Sequence, residues 1–249
     1  MDHVVQYRVG LERPHAHLFQ VEVEFPATGE GLTVALPVWT PGSYLVREYA
    51  RHVQDFEVTD LSGTRLPFER LDKRSFRIRT GGLATRCRYQ VYANELTVRT
   101  SHLDGSHGYF NGATLFFTAD SLRLAPHRVQ VRAPQGWRVS TALPREGDDF
   151  LARDFDELVD SPFEVGPHAP IAFLAAGRPH EVVLWGEPQL EERKLVTDLT
   201  RLIETEAAIF GGLPDQRYLF IVHAADKGRG GLEHRASTVL LYPRLGFSG

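Results

Sequence analysis

Period-two alternation is the feature of this sequence that most narrows its fold. "VEVEF" at residues 21–25, "FRIR" at 76–79, "CRYQVY" at 87–92 and "VQVRA" at 129–133 each place apolar residues on one side and polar residues on the other. Side chains alternate faces only in extended chain, so such segments read as strands with one face against a core and one in water. Turn-forming clusters such as "ATGEG", "LSGT", "TGG" and "APQGW" separate them. Many short strands, frequent turns and no convincing amphipathic helix predict an antiparallel β-sandwich over residues 1–165.

The pattern changes after "LVDSPFEVGPHAP". One more strand, "HEVVLWG" at 180–186, precedes "EPQLEERKLVTDLTRLIETEAAIFGGLP", in which Leu195, Leu199, Ile203, Ala207 and Phe210 recur at three- and four-residue steps with Leu202 beside them. That spacing predicts a helix. Pro188, Glu191 and Glu192 suit its first turn, and Gly211 and Gly212 with Pro214 beyond suit its end. The nearly continuous apolar run "RYLFIVHA" and then "STVLLYP" follow, so residues 166–249 read as the start of a second, α+β domain in a chain that is mainly β with some α.

Composition excludes several classes. The 249 residues carry a net charge of −4, with basic residues interspersed among acids, so no nucleic-acid or anionic-membrane partner is expected. The single cysteine, Cys87, lies at an inward position of an alternating strand, which leaves no internal disulfide and gives no reason to expect thiol catalysis. "MDHVVQYRVG" lacks the basic and apolar regions of a secretory leader, and no segment approaches the roughly 20 apolar residues of a membrane span. A soluble, cytoplasmic protein is the expectation; its oligomeric state is not legible.

Eleven histidines prompt a search for metal ligands. His15 and His17 in "HAH" fall on one face if that segment is a strand, but a third ligand would have to come from elsewhere. "HEVVL" at 180–184 begins like H-E-x-x-H, yet Leu184 stands where the second histidine belongs and the segment reads as a strand rather than a helix. No G-x-S-x-G or phosphate-binding glycine loop is present. The residues alone therefore show no complete catalytic set and no metal site. "GRGGLEHRASTVLLYP" reads as part of a site: Gly230 and Gly231 let another backbone approach a strand edge, and the carboxylate of Glu233 is held where it could pair with a terminal ammonium. The plainer alternative is a glycine turn followed by a surface Glu and His.

"GGLEHRAST" resembles the glycine-glycine-leucine-glutamate-histidine strand of the glycyl aminopeptidase family, the PDZ-bearing zinc metallopeptidases of clan MA, family sixty-one. "LPVWTPGSYLVREYARHV" at 36–53, "HGYFNGATLFF" at 107–117 and "LVDSPFEVG" at 158–166 resemble the same family in the expected order. The resemblance implies an aminopeptidase N-like sandwich followed by a thermolysin-like catalytic domain, with PDZ parts further along. In such enzymes the zinc helix bearing H-E-x-x-H follows the glycine-rich strand; this sequence contains no such motif, which implies an N-terminal portion with zinc expected in the full-length enzyme and none in this chain. Carried over by position, Glu233 matches the glutamate that recognises a peptide's free α-amine, and Gly230, Gly231 and Leu232 match the strand that lines the substrate. His234 replaces the family motif's asparagine. Asn111 and Gly112 fall where the sandwich reaches the first specificity pocket, with Tyr109 and Phe110 as its expected wall. The implied activity is removal of small N-terminal residues, glycine or alanine, from peptides, with this portion supplying amine recognition in the groove between the two lobes and no catalytic group. A non-catalytic β-sandwich binding or scaffolding module is the alternative.

Overall fold

A computed structural model describes residues 4–247; residues 1–3 and 248–249, at the outer ends of the two expected domains, lie outside the described residues. In chain order the first region contains β1 (Val5–Arg13), β2 (Leu18–Phe25), β3 (Gly31–Ala35), β4 (Val53–Asp60), β5 (Phe68–Arg70), β6 (Ser75–Arg79), β7 (Thr85–Tyr92), β8 (His102–Leu103) and β9 (Gly108–Phe110). The short helix α1 (Gly112–Leu115) follows, then β10 (His127–Arg132), β11 (Arg138–Thr141), β12 (Arg145–Glu146), β13 (Asp149–Ala152), the short helix α2 (Phe155–Val159) and β14 (Phe163–Gly166). These strands form a seven-stranded sheet in the order β12-β13-β10-β1-β2-β7-β4, a four-stranded sheet β11-β14-β9-β8 and a three-stranded sheet β3-β6-β5.

The alternation in the sequence becomes the division between core and water. On β2, Phe19, Val21, Val23 and Phe25 enter the core, while Glu22 and Glu24 on the opposite face pair with Arg8, Arg86 and Arg88 from the flanking strands. Cys87 is buried on β7, as its position in the pattern predicts. One contiguous cluster joins side chains of all three sheets, including Tyr7, Phe19, Val34, Ile78, Phe110, Phe150 and Phe163. Within it, Phe110 stacks on Phe163 at 4.7 Å and meets Phe19 edge-on at 5.4 Å. Two tyrosines send their hydroxyls to the carbonyls around α1: Tyr7 to Phe117 at 3.1 Å and Tyr89 to Leu115 at 2.7 Å. The expectation of purely antiparallel pairing fails at one place, since β1 runs parallel to β10. Both strand directions give the same alternation, so the pattern carries no information about orientation.

The second region comprises β15 (Ile171–Ala175), β16 (Arg178–Trp185), α3 (Glu192–Phe210), β17 (Tyr218–Ala225), β18 (Gly230–Glu233) and β19 (Ser237–Pro243), with sheet order β15-β16-β17-β19-β18. β16, β17 and β19 are mutually parallel, and α3 is the crossover from β16 to β17. The helix ends at Gly211 with φ of 79°, the glycine stop read from the sequence, but it begins at Glu192, leaving Pro188 outside the first turn. Leu195 and Leu199 are half-buried and Ile203 is buried, whereas Phe210 is exposed. Another difference lies at "HAH": Pro14–Ala16 forms a 3-10 turn and His17 takes φ of 56°, so His15 and His17 do not share a strand face. Among the described residues, no helix is long and apolar enough to cross a membrane.

The aromatic stack predicts a measurable cost. Phe110→Ala should remove about 3–5 kcal/mol from the unfolding free energy in urea. A loss below about 1 kcal/mol would show that this stack is not central to the sandwich core.

Candidate functional site

The edge strand β18 is the meeting place of the sequence-predicted residues. It pairs only with β19, Gly230 opposite Leu241 and Glu233 opposite Thr238. Alternation then sets each side chain's fate. Leu232 is completely buried with Val98 and Tyr109 of the first region and Ile221 and Val239 of the second, so it fastens the strand to the sandwich. Glu233 and Gly231 necessarily face the other way. This corrects the expected location: the contact between the lobes is closed packing, and the Glu233 carboxylate stands exposed on the opposite face of the sheet. That face carries an apolar groove of about 350 Å³ lined by Leu195, Leu199, Phe220, Gly230, Leu240 and Tyr242.

Among the described residues the Glu233 carboxylate has no hydrogen-bond or ion-pair partner. Nearby, Asp215 pairs with Arg235 and Asp160 with His234. Burial pushes the Tyr218 hydroxyl up to about 12, and the charges of Glu233, Asp160, Asp215 and Glu206 add to that effect. An exposed carboxylate without a partner is suited to a cation. The loop before β4 supports the strand: Gly42, at φ of 80°, lies so close that a Cβ there would be 2.8 Å from Leu232 Cδ1 and 3.2 Å from the Glu233 carbonyl oxygen. Arg99 Nη2 donates to the Gly231 carbonyl at 3.2 Å.

The other expected residues take inward positions. His234 has a fully buried side chain and bonds through Nδ1 to Asp160 Oδ1 at 2.8 Å, while the Arg235 amide donates to Asp160 Oδ2 at 3.0 Å. Asp160 thus anchors the end of β18 to the turn after α2, and His234 is part of that anchor. Asn111 is buried and caps α1, its Oδ1 accepting from the Ala113 amide at 3.0 Å. Gly112 is buried because a Cβ would lie 3.0 Å from the Leu158 carbonyl oxygen. Tyr109 is buried, donates to the Val98 carbonyl at 3.0 Å and packs edge-on against His223 at 4.8 Å. Phe110 is in the sandwich core. In this structure these four side chains meet protein rather than an open pocket.

Sequence reasoning missed the buried group that joins the lobes. Glu164 on β14 accepts from His107 Nδ1 at 2.7 Å and from His223 Nε2 on β17 at 2.8 Å, with all three side chains at most 1% exposed. Burial alone would push Glu164 up, but the two imidazoles outweigh it and hold the carboxyl below its usual range. Trp185 of β16 stacks on His107 at 4.1 Å. The signal was present: a glutamate inside "SPFEVG" and a histidine inside the apolar run "LFIVHA" are polar groups in segments destined for burial, which require partners.

Two groups among the described residues could hold a metal ion, His102 with Asp104 and His107, and His107 with Glu164 and His223. Neither includes Glu233 or any residue of β18. The chain's residues at the strand edge therefore do not form a catalytic zinc site, and no hydrolytic step is assigned to them.

The Peptidase M61 N-terminal domain matches residues 6–167. An aminopeptidase N family protein from Idiomarina loihiensis is similar in structure with a TM-score of 0.93 and 32% identity, over 96% of this chain and 42% of that one. An M1 zinc metallopeptidase from Deinococcus radiodurans shares the fold with a TM-score of 0.58 at 11% identity, over 96% of this chain and 60% of that one. A substituted form of it bound to a Tyr-Ser-Ala substrate gives the same score and identity over 95% and 59% of the two chains. The chain thus spans less than two thirds of the length of these solved structures. No curated protein sequence matches it.

The anchor at Asp160 has an observable consequence. Asp160→Ala should cost about 1.5–3 kcal/mol, because a charge-assisted acceptor is lost and His234 is left buried without it. Amide exchange measured by mass spectrometry should accelerate most in β18 and the His234 turn. Unchanged protection there would separate this contact from the position of the strand.

Proposed function

The chain belongs to the peptidase M61 family, whose N-terminal domain it carries over residues 6–167, and on that premise we propose that it is the substrate-positioning portion of a zinc-dependent aminopeptidase. The observation that carries this reading is Glu233: an exposed carboxylate without a side-chain partner on the edge strand of a sheet. A peptide's free α-amine is the cation such a group would bind. Its main chain would lie along Gly230–Glu233 as an added strand, on the face away from the sandwich.

In this proposal, Glu233 fixes the ammonium and the strand fixes the direction of the chain, so that only the first peptide bond is presented to the catalytic zinc. The zinc ligands belong to sequence outside this chain, together with the remainder of a thermolysin-like domain and a PDZ part. A preference for glycine or alanine as the first residue of the peptide comes with the family resemblance and not from the chemistry of Gly230 and Gly231. Tyr109, Asn111, Gly112, Leu232 and His234 act by holding the strand and its surroundings in place rather than by touching peptide. The peptide complex of the Deinococcus radiodurans relative supports a peptide as the ligand class.

Steady-state rates on matched peptides would test the amine anchor in the full-length enzyme. Glu233→Ala should lower kcat/KM on free-amine peptides by about 10- to 100-fold, the effect of losing one charge-assisted pair. N-blocked peptides should show little further loss. Equal losses on both substrates would remove the anchor role.

A further inference from the structure

We propose that His102, Asp104 and His107 bind a single divalent ion of zinc-like coordination chemistry at the junction of the two lobes, with Glu164 orienting His107. This inference does not rest on the reading above. It also departs from the sequence-based expectation of a metal-free chain.

Donor geometry is the first support. One ligand atom from each of the three residues lies within 4.8 Å of the others. His102 Nε2 and Asp104 Oδ2 are 3.2 Å apart, close to the ~3.3 Å edge of a tetrahedron whose metal–ligand bonds are about 2.0–2.1 Å. Asp104 Oδ1 is occupied by the Ser106 amide at 2.7 Å, the Ser106 hydroxyl at 2.6 Å and the His107 amide at 3.1 Å. That fixes the carboxylate and turns Oδ2 toward His102.

His107 supplies the second support. Its Nδ1 lies 2.7 Å from Glu164 Oε1, which can only accept when ionised, so in the neutral imidazole Nδ1 carries the proton and Nε2 the lone pair. Nε2 is buried and without a partner, in a side chain with no solvent exposure. A histidine whose one nitrogen is held by a carboxylate while the other is left empty has the form of a metal ligand with its orienting group.

Charge is the third. The ion pairs of Asp104 and Glu164 among the described residues are with histidines alone. With neutral imidazoles two negative charges remain, which one divalent cation would offset. The His107–Glu164–His223 group is a poorer candidate for the ion itself, because its donors already satisfy one another at 2.7 and 2.8 Å in a fully closed space. At the other group, the side chains of His102 and Asp104 remain 12% and 34% exposed, leaving an entry and room for water as a further ligand. Trp185, stacked on His107 and donating to the Ser106 hydroxyl at 3.1 Å, would transmit ion binding to the second sheet.

The 249-residue chain contains no H-E-x-x-H, so its own metal content reports on this site. The chain, stripped with a chelator, would be titrated with Zn²⁺ against a competing dye and with Co²⁺ followed by visible absorption. One ion per chain, a Co²⁺ spectrum of low coordination number and a higher Tm with zinc are expected. His102→Ala, at a half-buried position, should abolish the stoichiometric binding while the chain stays folded, and His52→Ala should leave it unchanged. Glu164→Gln should weaken it about 10- to 100-fold if that variant folds. No stoichiometric uptake, or binding that survives His102→Ala, would overturn the site; the latter would mean adventitious surface histidines only.

Discussion

Everything that positions the edge strand depends on how the second sheet is held against the sandwich, and the most demanding contact there is the buried carboxylate of Glu164. It takes one hydrogen bond from His107 of its own lobe and one from His223 of the other. A carboxylate removed from water without such partners would be untenable, so the packing of the lobes and the ionisation of Glu164 are a single condition. Around it lie contacts of other kinds: the Trp185 stack, the Tyr109 ring on His223, and Leu232 among Val98, Ile221 and Val239. Apolar contacts supply most of the attraction, whereas the hydrogen-bonded carboxylate tolerates only one register of the two sheets. Sliding β17 by one residue would carry His223 to the opposite face and leave Glu164 half-satisfied.

That register is what gives the edge its geometry. Trp185, His223, Leu241 and Gly230 stand opposite one another across β16, β17, β19 and β18. The row held by Glu164 therefore ends at the first glycine of the edge. Glu233 lies three residues further along the same strand, or ~10 Å at about 3.3 Å per residue. Asp160 holds this far end through His234 and the Arg235 amide, and Gly42 lies against its middle. The strand is consequently tied to residues of the sandwich along its length.

The sequence made much of this legible, for identifiable reasons. Alternation in "VEVEF" and "CRYQVY" located strands and their buried faces, and Gly211 marked the end of the long helix, because local geometry alone decides those features. The parallel pairing of β1 with β10 was not legible, since period two is blind to direction. Nor was the partnership in the Glu164 group: buried polar residues announce a need for partners, but these three are separated by 57 and 59 residues and nothing local says which meet. The side of the sheet on which Glu233 stands was also misjudged. A family motif gives the order of residues along β18, but which face meets the sandwich is decided by Leu232 finding Val98 and Tyr109, a contact across more than a hundred residues.

The same alternation separates two tasks that adjacent residues would otherwise share. Leu232 contributes through apolar burial, which at roughly 25 cal/mol per Å² is set by its surroundings and is indifferent to any ligand. Glu233, one residue on, faces water and contributes little to the fold, so its charge is available for recognition. An edge strand exposing a carboxylate is also protected from pairing with another copy, because a charged edge resists the addition of an arbitrary strand. Only a strand bringing a positive group to that position would find the charge helpful. A free amine at the start of an extended chain carries such a charge, as does a lysine or arginine side chain within one.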